Sequence, residues 1–176
     1  PLHRPEGPPA RARALIGSMT DLHHGRRLDD LRTRIDAWLD EFSADNPLIA
    51  AVDRGTSDDT SLGEPRWYVR MVGEEKDFTT VWLTLGQRTL RYETYVMPAP
   101  EEHQATVMEM VLRRNDQLVG VHFSIGAEDA LYLRGEIPDS AVTSDELDRV
   151  LGTVYTTVES MFRPLLRLAF AGRFAG

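Results

Sequence analysis

The sequence predicts an α+β domain with a largely antiparallel, five-stranded sheet, on three observations. Residues 67–72, 78–85 and 89–97 are rich in aromatic and β-branched side chains, and only short turns at 73–77 and 86–87 separate them. Two further alternating stretches, 118–125 and 130–137, flank a short loop. Helical periodicity precedes, interrupts and follows these strands without regular βα alternation, which excludes a doubly wound nucleotide fold. The expected order is helix, three strands, helix, two strands, helix. No internal repeat marks a solenoid.

The bounds agree. At 176 residues the chain supports one domain with a core of its own. Charged residues make up 27% and hydrophobic residues 41%, as in ordinary globular proteins. A net charge of −8 argues against nucleic acid or an anionic membrane as partner, because a phosphate-rich surface repels an acidic one. The sequence holds no Cys, which excludes disulfides, thiol catalysis and thiolate zinc sites. No stretch approaches the roughly 20 apolar residues of a membrane span, and none near the start resembles a signal peptide. A cytoplasmic location is expected. Lys76 is the only lysine and reads as a coding bias of GC-rich genomes.

Residues 1–27 carry Pro1, Pro5, Pro8 and Pro9 among Arg and Ala, with no sustained apolar period. They are expected to be a flexible N-terminal segment outside a single domain at 28–172, with the natural start either upstream or at Met19. His23-His24 lacks a third ligand at metal-binding spacing and reads as an exposed pair. Residues 28–42 form a helix with Leu28, Leu31, Ile35, Trp38, Leu39 and Phe42 on one stripe. The apolar run 48–52 has no clear type. Residues 53–63 read as a polar loop, in which Asp53, Asp58 and Asp59 lack the alternation of a calcium loop.

Alternation assigns the sheet faces. Trp67, Val69, Met71, Val81, Leu83, Leu85, Leu90, Tyr92 and Val96 make a core face. Tyr68, Arg70, Thr80, Trp82, Thr84, Arg91, Glu93, Tyr95 and Met97 make a mixed one. Pro98-Ala99-Pro100 stops the third strand, and Glu101 and Glu102 are expected to open the middle helix, which Arg113 and Arg114 close. That helix is apolar on more than one side, fitting either deep burial or the seam of a homodimer. Thr143 to Glu146 is a capping-box sequence, and Pro164 is expected to end or kink the last helix near Arg163.

No Walker loop, G-x-G-x-x-G, G-x-S-x-G or H-E-x-x-H motif occurs. No catalytic residue, cofactor or metal site is expected. The mixed face carries the candidates. Trp82, Tyr95, Met97 and Tyr132 offer large contact area, with Arg70, Arg91 and Arg134 as polar anchors, and these types are enriched at protein interfaces; His122 on the same face completes the candidate set. The same face is equally open to cover by a helix of the chain itself. An alternative places a small-ligand sensor or enzyme at His122, with Glu93 or Glu136 as acid–base partner.

Residues 85–97 (Leu-Gly-Gln-Arg-Thr-Leu-Arg-Tyr-Glu-Thr-Tyr-Val-Met) carry a family resemblance, with 98–102, 112–115, 120–126 and 145–152. Over about 28–172 the chain resembles the actinobacterial branch of the YbjN family, described as bacterial sensory transduction regulators. The resemblance implies a fold like that of type III secretion chaperones. It also implies a non-enzymatic regulatory or chaperone-like domain that binds a partner protein or peptide, with a homodimer as one arrangement. It supplies no catalytic residue.

Overall fold

A computed structural model describes residues 10–174, with side chains described for 25–56 and 58–174. The chain runs α1 (Ala10–Ala44), β1 (Ile49–Arg54), β2 (Arg66–Val72), β3 (Phe78–Leu85), β4 (Thr89–Met97), α2 (Gln104–Asn115), β5 (His122–Ile125), β6 (Leu131–Pro138) and α3 (Ser144–Ala169). The strands form one sheet in the order β1-β2-β3-β4-β6-β5, with every pair antiparallel. The sheet thus has six strands, not five. The added strand is the apolar run of undecided type, and a bulge between Ile49 and Ala51 breaks the alternation that would have marked it. Arg54, at the end of β1, ion-pairs with Asp36 at 2.7 Å and Asp40 at 2.9 Å on α1.

The expected core face holds. Val69, Val81, Leu83, Leu90 and Val96 are fully buried beneath α1 and α3, with Trp67 and Tyr92 nearly so. Leu31, Ile35 and Leu39 bury one stripe of α1, while Trp38 and Phe42 stack at its margin, ring centroids 4.8 Å apart. Trp67 Nε1 donates to Asp36 at 2.7 Å, so its one polar atom is satisfied inside the core. Tyr92 reaches across β6 at Gly135 and donates its hydroxyl to Gly120 O at 2.6 Å. A Cβ at Gly135 would lie 2.5 Å from the Tyr92 ring, so the close approach needs glycine there.

Several expectations are corrected. The first helix begins at Ala10, inside the segment expected to be weakly structured. Ala and Arg are strong helix formers, and that propensity favours a helix where the sequence shows no sustained apolar period. The side chains of His23 and His24, and residues 1–9, lie outside the described residues. Met97 leaves the mixed face, because a bulge between Tyr95 and Met97 turns it inward to full burial beside Val96.

Glu101 and Glu102 do not open α2. Their backbone N–H groups donate to Ala169 O at 3.1 and 2.9 Å, closing the C-terminal end of α3. The helix α2 starts at Gln104 after His103, whose φ is +50°. Thr143 does cap α3, accepting from Glu146 N at 3.2 Å. That helix continues through Pro164 to Ala169, because Leu165 and Ala169 are fully buried beyond it and Phe170 nearly so. Strand β5 is shorter than expected, starting at His122. Its backbone at Phe123 is occupied by Asn115, whose amide accepts from Phe123 N at 2.7 Å and donates to Phe123 O at 3.2 Å. A side chain thus takes the place of a further strand at that edge.

Candidate functional site

The helices gather on the core face, and among the described residues none packs over the opposite face of the sheet. Cross-strand register builds that face in rows. Trp82 of β3 lies opposite Glu93 of β4, Glu93 opposite Arg134 of β6, and Arg134 opposite His122 of β5. Beside it, Thr84 faces Arg91 and Arg91 faces Glu136. Tyr95 faces Tyr132, and Tyr132 faces Ser124.

The aromatic rings form a connected cluster. Tyr95 meets Tyr132 edge to face at 5.6 Å, and Trp82 lies 6.4 Å from Tyr132. The Arg134 guanidinium sits 4.6 Å above the Tyr132 ring while its Nε donates to Glu93 at 2.7 Å. Arg91 pairs with Glu64. Arg66 donates to Thr84 Oγ1 at 3.0 Å and to Asp59 O at 3.3 Å, holding the loop after β1 at the rim. The Asp59 carboxylate accepts from Thr56 N at 2.8 Å. Among the described residues no cluster could hold a metal ion.

Five of the six sequence candidates, Trp82, Tyr95, Tyr132, Arg91 and His122, therefore lie on one uncovered face, and Met97 does not. Two cavities open on it, with Trp82 lining both. One, of about 520 Å³, includes His122, Arg91, Glu93 and Glu136. His122 is exposed there and makes no hydrogen bond among the described residues, while Glu93 is occupied by Arg134. Acid–base work needs an oriented imidazole, and nothing described orients this one.

The other cavity, of about 490 Å³, contains a residue the sequence reading passed over. Lys76 leaves the β2–β3 turn and donates Nζ to Tyr95 O, with the Tyr95 and Phe162 rings 5.5 and 5.6 Å away. Burial pushes its ammonium down to about 8, against the opposing pull of the Glu159 charge. Glu159 of α3 accepts from the backbone N–H groups of Glu74, Glu75 and Lys76 at 2.8, 2.9 and 3.3 Å, which fixes the turn. Phe78, 53% exposed, was reachable by alternation alone. Lys76 was not, because its surroundings come from β4 and α3.

Residues 32–167 match the family model YbjN, "Putative bacterial sensory transduction regulator". The chain belongs to the YbjN family. Curated relatives include uncharacterised proteins of Mycobacterium bovis and Mycobacterium tuberculosis, each 39% identical over 106 residues. That alignment covers 60% of this chain and 58% of each relative. An uncharacterised protein of Mycobacterium leprae is 35% identical over 105 residues, 60% of this chain and 57% of the relative. The actinobacterial assignment of this YbjN chain accords with these relatives. Among the described residues no helix is long and apolar enough to cross a membrane.

Proposed function

We propose that this YbjN protein is a non-enzymatic regulatory domain with a chaperone-like fold, working in the cytoplasm. It holds an extended segment of a partner polypeptide on its uncovered sheet face. The observation that carries this reading is the connected cluster of Trp82, Tyr95 and Tyr132, left without a helix over it. Rigid aromatic rings give contact area at small entropic cost, and flanking arginines give orientation. The ion pairs Arg134–Glu93 and Arg91–Glu64 keep the face ordered before a partner arrives.

Selection of a random peptide library on the wild-type protein and on the Trp82→Ala/Tyr95→Ala double variant tests this. Peptides should be enriched on the wild type and lost on a double variant that still melts cooperatively. Failure of the folded wild type to enrich any sequence would refute it. A second reading, a small-ligand sensor, is favoured by the cavity at His122. A metabolite screen by thermal shift, repeated on His122→Ala, separates the two, since a ligand that binds only the folded state raises apparent stability.

A further inference from the structure

The two ends of the uncovered face differ in charge balance. At the His122 end, Arg91 and Arg134 each have a carboxylate partner, Glu64 and Glu93. At the other end, Arg70 and Lys76 line one cavity of about 490 Å³ and neither has one among the described residues. The Arg70 guanidinium lies 6.0 Å over the Phe78 ring, and the Lys76 ammonium meets a carbonyl and two rings. Glu159, the opposing charge acting on Lys76, is already held by three backbone N–H groups. Among the described residues Asp53 is the one acid lining that cavity, so the lining carries two cations against one anion in a chain of net charge −8. Trp82 and Tyr95 supply its apolar wall. Lys76 is partly buried and Arg70 exposed, so the Lys76 ammonium has already lost part of its hydration and meets an incoming carboxylate at less desolvation cost than a fully solvated lysine, with the Arg70 fork beside it.

We propose that this end of the face recognises an acidic segment of the partner polypeptide. A Glu or Asp carboxylate seats between Arg70 and Lys76, and an adjoining apolar side chain rests on Trp82 and Tyr95. The inference rests on the peptide-binding reading above and names the chemistry of the peptide.

The test pairs a peptide recovered from the library with its amide twin, in which every Glu is Gln and every Asp is Asn. The acidic form should bind the wild type about tenfold more tightly. Arg70→Gln and Lys76→Met should each shrink that ratio toward one. Because Lys76 is the only lysine, lysine-selective labelling gives one side-chain signal, which should shift with the acidic peptide and not with its twin. Equal affinity for the two forms, or enrichment of basic sequences, would overturn this inference and leave peptide binding standing. A library that yields no binder at all overturns both. If either variant fails to fold, the wild-type ratio and the lysine signal decide.

Discussion

Met97 and Tyr95 are two residues apart and have opposite environments. The bulge between them buries Met97 completely and leaves Tyr95 37% exposed. Met97→Ala should therefore cost about 2–5 kcal/mol, the range for a large-to-small change in a packed core. Tyr95→Ala should cost less and act mainly on binding, and urea denaturation of both variants checks the order. Lys76 carries the second residue-scale prediction. Burial holds its ammonium near 8 in the folded chain, against an ordinary value of 10.5. Between these values the unfolded chain binds more protons than the folded one, so stability should rise with pH across that window. Below about 8 the buried charge is an unrelieved cost. Lys76→Met should remove the rise, and urea midpoints from neutral to alkaline pH, compared between the two proteins, would reveal it.

Elements depend here on contacts made far along the chain. Asn115 satisfies both backbone groups of Phe123, so Asn115→Ala leaves them unpaired and partly buried within a four-residue edge strand. The expected cost is about 1–3 kcal/mol. Faster amide exchange should be confined to β5 and its partner β6, and a uniform acceleration across the sheet would argue against an edge role. The same dependence explains what the sequence discloses. Strands β2, β3 and β4 are legible because each buries one face, so alternation survives in their residues. Five of the six candidate residues follow from that alternation. Met97 escapes it because a bulge shifts the period by one, and β1 is obscured in the same way. The N-terminal part of α1 is rich in Ala and Arg, whose helix propensity is easily overlooked where no sustained apolar period accompanies it. The acidic pair Glu101-Glu102 looks like a helix start locally, yet its partners are Ala169, Gly172 and Arg173. Lys76 has no local signature at all, since its neighbours Tyr95 and Phe162 come from other elements.

Across the whole molecule, α1 and α3 cover one side of a six-stranded antiparallel sheet, and the other side bears an aromatic cluster framed by arginines. The overall field of a chain of net charge −8 repels acidic partners at a distance, so the proposed acidic segment depends on the local excess of positive charge at the Arg70–Lys76 end of the face. The YbjN family is described as "Putative bacterial sensory transduction regulator", and on the reading proposed above this face is where such a domain would hold its target. Oxidative footprinting of the free protein, and of the protein with a library-selected peptide, tests this most directly. Trp82, Tyr95 and Tyr132 should be labelled in the free protein and protected in the complex, while the buried Trp67 and Tyr92 stay unlabelled in both. Protection that falls on α2 or elsewhere, with labelling of Trp82, Tyr95 and Tyr132 unchanged, would contradict a sheet face built for binding.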